Sequence, residues 1–248
     1  MTSHPRSTPG VVCLAGDPPL VQEYAGACAN AGFTVQQLLI REAARTRRFR
    51  AGGIRLVARP SRSVSTAVEL TNLAVGTKRK NLALLDSSLP RGIPILTSSV
   101  TVTLQEQSVW VRHPERLIGI GAFPTLLRGT VLELVSRPDT DASALEGAKT
   151  FARALGKTPS PVRDSTGLVM PRILACLINE AFFALGEEIA LPEDIDRAMK
   201  LGTRYPAGPL EWGSSIGLKH VLAVMEALHR FFGEDRYRPA PGLKTAAG

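Results

Sequence analysis

Long apolar runs are missing from this chain of 248 residues. Nothing in it approaches the roughly 18 consecutive apolar residues that a membrane-spanning helix needs. Cysteine is scarce. Cys13, Cys28 and Cys176 lie far apart and are odd in number. That spacing suits neither a disulfide framework nor a metal site, and it points to a reducing cytoplasm. The opening MTSHPRSTPG is polar and proline-rich, without an apolar core, so residues 1–10 read as a frayed tail rather than a signal peptide. Aromatic residues are only 5% of the chain, too few for a base-stacking platform. Internal repeats and low-complexity linkers are absent.

What is present includes an apolar fraction of 44%, enough for a full core. The net charge of +8 is concentrated: Arg41 to Arg62 holds eight arginines against the single acid Glu42. Such a run reads as a solvated face, with phosphate or nucleic-acid binding as the sharper alternative. Phe49 is its only aromatic residue, which argues against a dedicated nucleic-acid domain.

Val11 to Ala15 is a short apolar run ending at Gly16, as buried parallel strands do. A helical stretch from Leu20 to Ala31, closed by Gly32, and a strand from Phe33 to Ile40 complete the opening of a dinucleotide-binding fold. Further strands are expected at Ile54–Ala58, Val68–Val75, Ile93–Thr97, Leu117–Ile120, Thr130–Val135 and Pro159–Val162. Helices are expected at Thr77–Leu89 and, capped by Asp141, up to Leu155. This alternation predicts an α/β, Rossmann-like, mostly parallel sheet over 11–164. Beyond Ser165 the period becomes helical: Leu174, Leu177, Ile178, Ala181, Phe182 and Leu185 share one face, and 165–248 reads as all-helical.

Asp194-Ile195-Asp196, Ala198-Met199, Gly202, Tyr205-Pro206, Gly208-Pro209 and Ile216-Gly217-Leu218 together resemble the C-terminal domain of the 3-hydroxyacyl-CoA dehydrogenase family. Ala154 to Pro159, Asp164 to Gly167, Asn179-Glu180-Ala181 and Arg112 to Gly119 extend the resemblance upstream. It implies an NAD-binding domain, a helical domain that dimerises with itself or a related subunit, and an acyl-CoA substrate oxidised at its 3-hydroxyl. In that chemistry a histidine takes the hydroxyl proton, an acid orients it, and serine and asparagine hold the substrate.

Carried onto this sequence, the pattern departs where the reaction happens. The family's Gly-Leu-His-Phe-Phe-Asn-Pro motif reads Gly119-Ile120-Gly121-Ala122-Phe123-Pro124, so the histidine position is Gly121. His113, in a loop, and His220 and His229, on a helix with surface or core-edge roles, do not replace it by sequence. The orienting acid matches Glu133, expected as a hydrogen-bonded strand carboxylate or, alternatively, a base on its own. Ser98 matches the family's serine, while Pro171 stands at the substrate asparagine. In the phosphate turn only Gly16 matches; Pro18 and Val21 occupy the other glycine positions, Asp17 adds a negative charge, and Leu39 or Ile40 stands where an acid should hold the ribose. Arg41 to Gly53 is too short for the family's helical arm. The expectation is a dimeric member without NAD-linked turnover, structural, regulatory or acyl-CoA-binding. The alternative is a working dehydrogenase of fatty-acid or aromatic-acid catabolism.

Overall fold

The computed structural model describes residues 10–39 and 54–248. The expected Ile40 and the Arg41–Gly53 stretch therefore lie outside the described residues, and of the basic run only Arg55, Arg59 and Arg62 are seen, all exposed.

β1 (Val11–Gly16), α1 (Pro18–Asn30) and β2 (Thr34–Leu38) open the chain, followed by β3 (Ile54–Val57) and β4 (Val64–Leu70). Next come α2 (Val75–Ser88), β5 (Ile95–Ser98), α3 (Leu104–Ser108), β6 (Leu117–Ile120), β7 (Val131–Val135), α4 (Ala142–Ala154) and β8 (Thr158–Pro161). The eight strands form one sheet in the order β3-β2-β1-β4-β5-β6-β7-β8. Every neighbouring pair is parallel except β6 with β7. The order reverses between β1 and β4, so their carboxyl ends open a crevice at the topological switch point, where doubly wound sheets bind ligands.

Alternation along the strands puts a core on each face. Val12 and Leu14 pack with α1 and α4, whereas Cys13 and Ala15 pack with α2 and α3. Burial pushes the Cys13 and Cys28 thiols up to about 12, which leaves them unreactive packing groups. Asp141 caps α4 as expected, accepting from the amides of Ser143 and Ala144.

The fourth strand and the helix after it differ from expectation. The strand runs Val64–Leu70, not Val68–Val75, so Asn72 falls in the loop after it and Val75 starts α2. Thr66 and Glu69 are buried polar residues, and they hide the strand's beginning from an apolar-run reading.

The helical part comprises α5 (Met170–Gly186), α6 (Pro192–Thr203), α7 (Pro209–Ile216), α8 (Leu218–Phe232) and α9 (Pro241–Ala247). Gly208-Pro209 leads into α7. Pro209 begins α7, whose Leu210 and Glu211 amides donate to the Asp196 carboxylate of α6 at 2.8 and 3.0 Å. Asp196 thus ties two helices together, which explains its burial. Val100 and Phe123 of the sheet domain enter the helical core beside Ile178 and Val224.

Candidate functional site

Two places at the carboxyl edge of the sheet could receive a ligand. The first is the switch-point crevice. Gly16 sits at φ +136°, and a Cβ there would lie 2.4 Å from the Leu70 carbonyl carbon. Its glycine is demanded by the close approach of β1 to β4. Asp17 follows, only 8% exposed, and its Oδ2 accepts from the Asn72 amide at 2.7 Å and the Leu73 amide at 3.1 Å. The protein's own carboxylate therefore occupies two backbone donors that face the crevice. Pro18 and Pro19 start α1 and have no N–H to offer an anion.

Beneath this crevice lies a buried polar network. Lys78 pairs with Glu69 and also donates to the Thr71 carbonyl at 3.0 Å. Glu69 accepts in addition from the Thr71 amide at 3.1 Å and from Asn81 at 3.2 Å. Thr97 donates to Gln107 at 2.5 Å, and Gln107 donates to the Ser98 and Val102 carbonyls at 3.0 and 2.8 Å. Ser98 is fully buried; its hydroxyl donates to Asn72 Oδ1 at 2.6 Å, with the Ala122 carbonyl at 3.2 Å. A network satisfied this completely rigidifies the strand ends.

The second place is a cavity of about 790 Å³ between the β6–β7 hairpin and the helical domain. That lies within the range of small-molecule sites. Tyr24, Leu127, Met170, Leu174 and Trp212 give it apolar walls, and Arg128, Thr130 and Ser215 add polar groups. Gly121 and Glu133 face each other in its wall. A Cβ on Gly121 would lie 2.9 Å from Glu133 Oε2, so a side chain there would point straight at the carboxylate. Instead Glu133 holds the start of α5, accepting from the Met170 amide at 2.8 Å and the Val169 amide at 3.3 Å. A carboxylate at a helix N-terminus is favourable on both hydrogen-bond and dipole grounds.

Ser98 and Glu133 are not brought together in this wall. Ser98 belongs to the network under the crevice, while Glu133 lines the cavity. The Ser98 hydroxyl donates to Asn72, a loop residue whose position a strand assignment through 68–75 obscures. No histidine lines the cavity among the described residues. His113 sits beside Glu115 at 3.6 Å, and His229 is half-buried. His220, expected at a surface or core edge, is buried at 4% exposure with Nδ1 unpartnered among the described residues.

Sequence reasoning also misses Glu23. Its Oε2 accepts from the Thr125 amide at 3.0 Å, holding that residue at φ +70° beside the cavity. Burial raises the Glu23 pKa, against the amide of Thr125 and the charge of Arg128. No local motif marks it, because its partner lies on a different element far along the chain. Among the described residues, no cluster suited to a metal ion occurs, and no helix is long and apolar enough to cross a membrane.

Residues 62–165 match the model of the 3-hydroxyacyl-CoA dehydrogenase NAD binding domain, and residues 167–247 match that of the same family's C-terminal domain. A 3-hydroxybutyryl-CoA dehydrogenase of Bradyrhizobium diazoefficiens is 33% identical over 180 residues, which are 73% of this chain and 60% of that protein. One from Clostridioides difficile is 31% identical over 73% of this chain and 63% of its own length. The matches thus span less than two thirds of these relatives. The crystal structure of (S)-3-hydroxybutyryl-CoA dehydrogenase from Ralstonia eutropha superposes with a TM-score of 0.76 at 27% identity, over 95% of this chain and 92% of that one.

Proposed function

The chain belongs to the 3-hydroxyacyl-CoA dehydrogenase family, and from that premise we propose that it is a member without NAD-linked turnover, a dimeric homologue that holds an acyl thioester in its cavity. The observation that carries this reading is the Gly121–Glu133 wall. Glycine has no proton acceptor, Glu133 is engaged with the amides that start α5, and no described histidine lines the cavity. Family membership implies NAD, but the residues present do not fit it. Asp17 fills two amides at the switch point, and Pro18 and Pro19 remove donors from the turn.

The cavity supports binding without conversion. Its apolar walls suit an acyl chain, and Arg128 supplies a cation near it for an anionic head. Dimerisation is supported by apolar side chains left exposed on the helical domain, among them Ile173, Ile189, Leu191, Leu201 and Phe231. The partner is a second copy or a related subunit.

The second reading is a working dehydrogenase, favoured by the names of the relatives and by Glu133 lining the cavity as a candidate base. One experiment separates the two. The purified chain is titrated with NADH and assayed for oxidation of 3-hydroxybutyryl-CoA. The expected result is no turnover above background and no NADH saturation in the micromolar range. Micromolar NADH binding with measurable turnover overturns the proposal in favour of the second reading.

A further inference from the structure

Arg128 lines the cavity, is exposed, and forms no ion pair among the described residues. A free guanidinium at the wall of an apolar cavity suits an anionic head group. Its place depends on a short segment. Leu126–Arg128 is one 3-10 turn in the connection between β6 and β7. The bonds that fix this turn run in series. The Arg128 amide donates to the Thr125 carbonyl at 3.0 Å, and the Thr125 amide donates to Glu23 Oε2 of α1 at 3.0 Å. Thr125 itself stands at φ +70°, a conformation that is costly for a β-branched residue. Such a backbone persists only when its surroundings impose it. Glu23 supplies that constraint from outside the turn. At the far end Lys157 Nζ donates to the Gly129 carbonyl at 2.8 Å.

We propose that Glu23 is a positioning residue for ligand recognition: by holding the Thr125 amide it sets where Arg128 meets the anionic head of a ligand whose apolar part lies in the cavity. The inference rests on the reading of the cavity as an acyl-thioester site and adds the residue that orients its cation. The other carboxylate oxygen agrees with this role. Glu23 Oε1 is buried without a hydrogen-bond partner among the described residues. A polar atom buried at such a cost asks for a reason, and the bond from Oε2 to Thr125 is one.

Charge alone gives the opposite expectation. The fields of Glu23 and Arg128 reach each other, so a carboxylate there opposes an anion bound at Arg128. Removing Glu23 would then tighten anion binding. If Glu23 acts through position, removing it loosens the turn and weakens that binding. The two roles therefore differ in sign.

Titration calorimetry on the full chain separates them with two probes. One is octanoyl-CoA; the other is the octanoyl thioester of N-acetylcysteamine, which keeps the acyl chain and lacks the phosphates. Glu23→Ala should weaken octanoyl-CoA about tenfold, the scale of one lost charge-assisted contact, and change the neutral thioester by less than about twofold. Glu23→Gln keeps an acceptor oxygen for the Thr125 amide and should bind octanoyl-CoA as wild type does, or tighter. Arg128→Met should weaken octanoyl-CoA at least as much as Glu23→Ala. In that background Glu23→Ala should add nothing, because the group it positions is gone. Hydrogen exchange at the Thr125 and Arg128 amides should speed up in Glu23→Ala and not in Glu23→Gln. Unchanged or tighter octanoyl-CoA binding by Glu23→Ala overturns the proposal. So does equal weakening of both probes, the mark of a wall that has merely loosened. Both of those failures leave the cavity reading standing, whereas binding of neither probe by wild type overturns that reading and the positioning role with it.

Discussion

The crevice at β1 and β4 and the cavity beside β6 and β7 share one edge of one sheet, yet they are built in opposite ways. At the crevice the protein's own polar groups pair with one another: Asp17 on two amides, Ser98 on Asn72, and Glu69 on Lys78. The cavity keeps about 790 Å³ open behind mostly apolar walls. Closing a polar site requires that every donor and acceptor find an internal partner. Leaving an apolar site open sacrifices only dispersion contacts. The same sheet edge thus pairs its polar groups internally in one region and leaves a largely apolar cavity in the other.

The largest expected effect lies in the polar network. Lys78→Met leaves the Glu69 carboxylate buried without its cation. Removing one partner of a buried pair costs about 3–5 kcal/mol. The thermal unfolding temperature should fall accordingly, and Glu69→Gln combined with Lys78→Met should recover much of the loss. A Lys78→Met protein as stable as wild type would mean that the crevice is not held by this pair. Asp17→Ala comes next. It orphans the Asn72 and Leu73 amides at a cost of about 1–3 kcal/mol. It should not create an NADH site, because Pro18 and Pro19 remain. NADH binding gained by this single change would show that Asp17 alone had closed the crevice.

The contrast between the two regions also explains what is legible in the sequence. Strand and helix alternation through Val135, the Asp141 cap and the helical period after Ser165 are local patterns, and each appears as an element near its expected place. Gly121 and Glu133 can be placed opposite each other through the family motif, and they share a wall. The polar network at the crevice is not legible, because its partners meet only in three dimensions. Asn72 reads as a polar blemish inside a strand, yet it is the loop residue that gathers Ser98, Thr101 and the Asp17 carboxylate. His220 reads as a surface or core-edge histidine because nothing in the spacing of α8 records its burial.

A smaller effect probes the open region. Ala207 lies in the loop before α7 and lines the cavity with Trp212. Ala207→Phe should occupy part of the space and weaken octanoyl-CoA binding about tenfold, or ~1.4 kcal/mol. Titration calorimetry reports the binding. Thermal stability should barely change, because the added ring enters existing space rather than a packed core. If octanoyl-CoA binds Ala207→Phe and wild type equally, the acyl chain lies elsewhere and the cavity is open for another reason.

The smallest effect falls on the residue where the cavity wall meets the helical domain. Glu133 is buried on β7, faces Gly121 and accepts both amides at the start of α5. Glu133→Gln keeps the shape and one acceptor oxygen but replaces the other with a donor that meets an amide head-on. Losing a charge-assisted bond at a helix N-terminus should cost about 1 kcal/mol. Exchange at the first turn of α5 should report it, with octanoyl-CoA affinity unchanged. The alternative has a different signature. If Glu133 serves as a base, the substitution abolishes turnover while leaving the helix start intact. The two outcomes are separable in one variant because an anchor is read in amide protection and a base in rate. The bonds from Val169 and Met170 favour the anchor, since they commit both carboxylate oxygens to the start of α5.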